Sequence, residues 1–370
     1  MGRRAGAWLG LAALVALVLG SLGGLRRLGL ATAPPEAGLV HGPVMVCGFL
    51  GTLIGLERAL GARARWAWLA PIASALGAAL ALGGLRPVPA ACAAGLGALA
   101  LLAIYARAWR VMPLPVAAVN VGSALAYLGG AVGWGMGQPF ARIAPLWGTF
   151  LVLTVAAERL ELARYAPAPR WAPRALAGSL AVLAAGLVLG SVTGPGRLHG
   201  VGWMGLAASL AAIDPARRAF SVSQEARFAA LAVLSAYGWL GLAGALVSGP
   251  GVWWAGGRYD GALHAVFVGF VMPMVLAHAP LVVGLLTGRS VPFSSLFYAP
   301  FAVLHLSLLA RLGGDLLDDE ALRRAGAVGN TLVLPMLLLL LLGSRLTGAR
   351  RLREEGPVAP QAVARPHAST

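Results

Sequence analysis

Between residues 6 and 346 the chain is a succession of apolar runs separated by little more than arginine, glycine and proline. A helix rises about 1.5 Å per residue and the hydrocarbon core of a bilayer is about 30 Å thick, so about 20 apolar residues make one crossing. The runs are 6–24, 38–57, 66–85, 88–106, 113–135, 143–162, 175–193, 198–213, 226–248, 261–287, 293–312 and 325–346. Because backbone groups in lipid must satisfy one another, runs of this length can only be helices. The expected fold is all-α, a polytopic membrane helical bundle of about twelve transmembrane helices over residues 1–348. Only "LRPVP" parts the third run from the fourth, and the eighth is short, so eleven or thirteen helices also fit.

Composition supports the same class. Hydrophobic residues make up 59% of the chain and charged residues 11%, too little polar surface to coat a soluble globule of this size. The formal charge of +16 comes from 29 basic residues, all arginine, dispersed in short clusters between apolar runs. That dispersal speaks against a nucleic-acid surface, which would gather them in one patch. The two cysteines, Cys47 and Cys92, lie inside apolar runs and define neither a disulfide framework nor a CxxC metal site. The start, "MGRRAGAWLGLAALVALVLG", has the charged front and apolar run of a signal peptide without a small-x-small cleavage site, and reads as an uncleaved first span.

With a cytoplasmic N-terminus and twelve spans, twenty arginines fall in cytoplasmic segments and nine, Arg311 among them, in outer ones. Arginine excess in short loops marks the cytoplasmic side, so the expected placement is a bacterial inner membrane with both termini in the cytoplasm. Even-numbered spans then run from outside to inside. Residues 349–370, rich in Pro and Ala without an apolar period, read as a disordered cytoplasmic tail that takes His367 with it. Two even spans end alike, with Glu57-Arg58 in "GTLIGLERAL" and Glu158-Arg159 in "VLTVAAERLEL", four spans apart. They suggest four-helix pseudo-repeats, although charged pairs are also common at helix ends near a membrane surface.

Four histidines lie in the runs: His41, His264, His278 and His305. A polar ring in lipid is costly unless it faces the bundle interior and finds a partner, so each is a candidate site. His199, beside Arg197 at an outer helix start, is set aside as exposed. His41 and His264 each begin an even span, so if those spans pack together the imidazoles could meet in the outer third of the bilayer as axial ligands of a haem b. Asp260, four residues before His264 and on the same helix face, could accept a hydrogen bond from the ring and leave the other nitrogen free for iron. His278 and His305, on antiparallel neighbours joined near Arg289, lie about 16 Å and about 24 Å from that turn at 1.5 Å per residue. They could form a second, copper site, or His278 could replace His264; hydrogen bonds between helices would explain them equally.

The stretch "HGPVMV", residues 41–46, resembles the second transmembrane helix of subunit I of the haem-copper oxidases, where a histidine in an H-G-x-[VI]-M-[IV] context binds the low-spin haem and its partner lies on the tenth helix. That family also has twelve spans in three arcs of four. The resemblance implies His41 and His264 as the ligand pair, and it implies that Arg323 and Arg324, the "RR" between spans 11 and 12, lie near the haem propionates. The departures are as informative. Span 6 lacks the copper-ligand histidine and nearby tyrosine, span 7 has no histidine pair, and Ala262 stands where the tenth helix would carry its first histidine. The oxygen-reducing centre therefore lacks its ligands. The chain is similar at greater distance to NnrS-type bacterial membrane proteins linked to nitric oxide stress, with about twelve spans and scattered intramembrane histidines.

Three functions follow as expectations. The first is a haem-binding membrane protein passing electrons, or handling nitric oxide, near the outer face, with a respiratory or denitrification partner. The second is a secondary transporter of a small solute, suggested by abundant Gly and by Pro43, Pro273 and Pro280, which could break helices at a substrate site; yet Glu57, Glu158 and Glu161 cluster at cytoplasmic ends, leaving no acid at the midplane for ion coupling. The third is an assembly or scaffold protein of a respiratory complex. No Ser-His hydrolytic arrangement is visible.

Overall fold

The computed structural model describes residues 3–31, 33–84, 87–193, 196–249, 255–287 and 291–354, and no strand occurs among them. Each apolar run is a helix, numbered here in chain order: α1 Arg3–Arg27, α2 His41–Ala62, α3 Arg65–Leu82, α4 Pro87–Ala108, α5 Leu114–Gly135, α6 Phe140–Ala163, α7 Ala172–Thr193, α8 Arg197–Ile213, α9 Gln224–Ser248, α10 from Gly257 to Thr287, α11 Ser295–Leu317 and α12 Glu320–Glu354. Among the described residues, eleven helices are long and apolar enough to cross a membrane, consistent with a multi-pass membrane protein. The other helix, α8, has 17 residues. The last helix continues past residue 348 to Glu354, into the expected tail of 349–370, and the rest of that tail, residues 355–370, lies outside the described residues.

Local chemistry sets several of these boundaries. Proline precedes α5 (Pro113) and α6 (Pro139), where the first helical turn needs no donor from it. The Ser223 hydroxyl caps α9 by accepting from the Ala226 amide at 3.0 Å. α2 ends at Arg63 and α11 at Asp318, both in the left-handed region with φ of 51° and 57°, which stops the helical hydrogen-bond ladder.

Two helices depart from α geometry at matching places. α2 widens to a π-helix over Val44–Gly51, directly after His41-Gly42-Pro43, and α10 does so over Ala265–Phe270, directly after His264. A π turn is rare, and within an α-helix it rotates the turns before it relative to the turns after it. Expected breaks at Pro43 and Pro273 thus take the form of a widened but continuous helix, with one proline at each border region. Pro280 sits inside α10 without ending it.

Sequential helices pack as hairpins, most extensively α11 with α12, α7 with α8, α5 with α6 and α3 with α4. α6 is the most enclosed helix and α7 the least, with α1 also largely open. α1 touches α10 and α12 as well as α2, so the two ends of the chain meet and close the bundle. Small residues let the backbones approach. A Cβ on Gly77 of α3 would lie 2.9 Å from the Ala90 carbonyl of α4, and one on Gly202 of α8 would lie 2.7 Å from Leu183 Cα of α7. For helices in a bilayer, where no hydrophobic force drives them together, such close contact supplies much of the attraction. Large apolar side chains such as Trp8, Leu11, Val15, Leu189 and Leu339 are exposed on the outside, consistent with a multi-pass membrane protein.

Because the two nearest atoms facing Gly77, the Ala90 carbonyl oxygen and the Ala94 amide nitrogen, are backbone and cannot turn aside, Gly77→Val is expected to destabilise the bundle by about 1–3 kcal/mol. A thermal melt of the detergent-solubilised protein checks this; an unchanged midpoint would mean that α3 and α4 are not packed on that glycine.

Candidate functional site

At the end of the bundle where α2 and α10 begin, five helices contribute polar groups to one cluster. His41 comes from the first turn of α2. Its Nδ1 lies 2.6 Å from the Gly20 carbonyl of α1, and its ring rests on Gly24, where a Cβ would stand 3.0 Å from Cε1. A ring nitrogen so close to a carbonyl donates its proton there, which leaves the lone pair on Nε2. His264, on α10, is held in the same tautomer. Its Nδ1 is 2.8 Å from the Asp260 carbonyl oxygen and 3.3 Å from the Asp260 carboxylate. The carboxylate that the sequence places one turn away is therefore a flanking partner, and the backbone oxygen of the same residue takes the closer contact.

His41 and His264 lie within electrostatic range of each other, and both sense the charges of Asp260 and Arg311. Asp260 also accepts from Arg311 Nη2 of α11 at 2.7 Å. Arg311 corrects a sequence assignment: counted with the outer segments, it is 9% exposed and sits within α11. Further around the cluster, Arg323 of α12 reaches toward the buried Asp315 of α11 at 3.9 Å, and Arg27 of α1 lies within range of His41 and Asp260. Arg324 does not join. It points outward and pairs with Glu320 on its own helix at 2.5 Å. Arg311 and Arg27 are thus the arginines that act on the histidines, where the resemblance implies Arg323 and Arg324; Arg323 reaches the cluster only toward Asp315.

The other two histidines have separate surroundings. His278 Nδ1 lies 2.7 Å from the Met274 carbonyl one turn back, and its ring is within electrostatic range of Glu158. His305 accepts at Nδ1 from Trp239 Nε1 of α9 at 2.8 Å, with Phe301 edge-on at 4.4 Å. Acceptance at Nδ1 puts the proton on Nε2, the opposite tautomer from the other three. His278 and His305 thus hold different partners. Among the described residues no group of three or more His, Cys, Asp or Glu is gathered as a metal ion would need.

His199 is a second correction. It is 1% exposed, edge-on to Trp203 at 4.4 Å and 3.5 Å from the Thr149 hydroxyl of α6. Gly200 and Gly202 let the start of α8 sink between α7 and α9, which carries the ring inward.

The Glu-Arg pairs meet at the opposite end. Arg58 pairs with Glu158, and its guanidinium lies 5.9 Å from the centre of the Tyr105 ring. Arg159 forks onto Asp214 at 2.7 and 2.6 Å, and Asp214 accepts further from Tyr237 at 2.5 Å and from the Ala216 amide at 2.8 Å. Sequence reasoning saw the two pairs as a repeat and missed that each arginine bridges to another helix. Asp214, at the end of an apolar run, was the available signal.

The helices and their charge-bridged ends define a class, an all-helical protein built from membrane-length spans around an enclosed sixth helix. A family model described as "Domain of unknown function (DUF8744)" matches residues 7–346, and the chain belongs to that family. No curated protein matches it, and no solved structure does.

Breaking the Asp214 network with Asp214→Asn is expected to cost about 3–5 kcal/mol, since it strands a largely buried guanidinium. Glu158→Gln, at a site about a third exposed, should cost no more than about 1 kcal/mol. Denaturation midpoints of the two variants compared with wild type test the order; equal losses would contradict it.

Proposed function

We propose that this chain is a haem-binding protein of the bacterial inner membrane, with His41 and His264 as the axial ligands, serving electron transfer or nitric oxide handling near the outer face. The observation that carries the reading is the shared state of the two imidazoles. On two helices far apart in sequence, each donates its Nδ1 proton to a backbone oxygen, which leaves Nε2 unprotonated, and both rings lie at the same end of the bundle.

The residues present suit such a group. Haem offers two axial positions, so two neutral imidazoles suffice where a bare metal ion would need more ligands. Its two carboxylates need cations, and Arg311 and Arg323 each have a buried Nε without an acceptor. The bound group would supply one-electron redox chemistry, or a site for a diatomic gas if one ligand is labile. The protein's own part is orientation. Gly20 and Gly24 hold the His41 ring from α1, and Asp260 holds both His264 and Arg311 from α10. Copper at His278 and His305 is not part of the proposal, since the Trp239 contact protonates His305 at the nitrogen a metal would use.

Membrane placement with both termini cytoplasmic rests on the arginine distribution, which is twenty to eight once the buried Arg311 leaves the outer tally. Twelve spans in three four-helix units fit the π segments that come after His41 and His264, eight spans apart. They also fit the bridging arginines that end α2 and α6. A respiratory or denitrification protein on the outer side is the partner this placement favours.

Protein expressed with haem precursor and purified in detergent should show a Soret band. His41→Ala and His264→Ala should each lose most of it, while His278→Ala and His305→Ala keep it. A colourless protein, or a band indifferent to His41, would defeat the proposal; stabilisation of colourless protein by a particular solute would point instead to a transporter, and co-purification with an oxidase or reductase to a scaffold.

A further inference from the structure

α1 and α3 run in the same direction and meet α2 from either side. A Cβ on Gly48 of α2 would stand 2.5 Å from the Ala78 Cβ of α3 and 2.9 Å from the Ala16 Cβ of α1. Above that floor the two helices part around an outward-facing groove of about 330 Å³, walled by α1 from Trp8 to Ala16 and by α3 from Ala75 to Leu82. Among the described residues its lining is Ala, Gly, Leu, Val and Trp, without a charged or hydroxyl group. A water molecule, which needs about two to four polar partners, finds no hold there. Hydrocarbon does.

One end of the groove is chemically different. Arg4 precedes Trp8 by four residues, on the same helix face, and is exposed. α3 begins with Arg65 and Trp66, both also exposed. The two helix starts are level, because Ala5 and Leu9 of α1 pack on the cluster that holds Ala67, Trp68 and Ala70 of α3. Neither helix contains an acidic residue, and Glu57, the acid of α2, lies 3.7 Å from its own neighbour Arg58. An apolar groove therefore opens beneath a basic rim. Guanidinium groups hold phosphate by paired, charge-assisted hydrogen bonds. From Arg4 to Ala16, α1 rises about 18 Å, against about 15 Å for half of a bilayer's hydrocarbon core. A helix, about 10–12 Å across, is too wide for the floor between Ala16 and Ala78, whereas an acyl chain fits.

We propose that this groove is a binding site for one anionic phospholipid of the cytoplasmic leaflet, an acyl chain lying between α1 and α3 and the phosphate on Arg4 and Arg65. The inference rests on the membrane placement proposed above, with the start of α1 at the cytoplasmic face, and is independent of haem. The negative charge of that leaflet supplies the ligand. A chain seated there covers the side of α1 that the bundle leaves open and ties the first helix to α3.

Native mass spectrometry of the full chain in detergent, titrated with phosphatidylglycerol or with phosphatidylcholine of the same acyl chains, tests it. Wild type should retain one phosphatidylglycerol in preference to phosphatidylcholine, by about fivefold for each arginine engaged. Arg4→Gln with Arg65→Gln should lose that preference. Ala12→Phe with Ala79→Phe, both exposed alanines of the walls, should lower binding of either lipid, while Leu339→Phe on α12 binds as wild type does. Equal retention of the two lipids by wild type, or retention indifferent to the groove variants, would overturn the proposal; a dimer that the alanine variants dissociate would put a second copy in the lipid's place. Labelling of Arg110→Cys, in a Cys92→Ser background, by an impermeant thiol reagent reads the placement separately. Labelling in inverted vesicles alone is expected, and labelling from the outer side would overturn the placement and the leaflet assignment with it.

Discussion

A charge carried into an apolar bundle must find its partner on another helix, because neither lipid nor the helix's own backbone can replace water around it. This constraint organises both ends of the protein. At one end Arg58 joins α2 to α6, and Arg159 ties α6 to Asp214, which Tyr237 of α9 also holds. At the other, Arg311 joins α11 to Asp260 of α10, with Arg323 of α12 and Arg27 of α1 nearby. Small residues bring helices close, but they permit many registers. The ion pairs select one.

The same constraint explains why the polar clusters surround the histidines. A neutral imidazole in a low-dielectric setting needs one acceptor for its N–H and leaves one lone pair over. His41, His264 and His278 all meet the need with a carbonyl oxygen, and only the first two stand beside the cationic groups at the end where α2 and α10 begin. His305 meets it in reverse through Trp239, which separates it chemically from the others. The π segments after His41 and His264 supply a mechanical counterpart. Each sets the rotation of a histidine-bearing turn independently of the rest of its helix, so ring direction and core packing can both be met.

The linear order of residues was enough for the helices, since a run of about 20 apolar residues between arginines and prolines has no other way to satisfy its backbone. The candidate histidines were legible too, as polar rings in apolar runs, and so was Asp260, because i and i+4 share a helix face. His199 was misjudged from its neighbour Arg197, a local cue that says nothing of how deeply α8 is wedged between α7 and α9. Arg311 was misjudged for a related reason: inside a helix but toward its end, it could equally reach water or turn inward.

What the amino-acid order determined by itself was the class of structure and the inventory of costly groups within it, because hydrophobicity and backbone hydrogen bonding act along the chain. Only the tertiary structure decided which of those groups answer one another: Arg311 with Asp260, Arg159 with Asp214, Arg324 with its own helix and not with the histidines. Partner choice depends on which helices adjoin and how each is rotated, and that is a property of the packed bundle, absent from any single span.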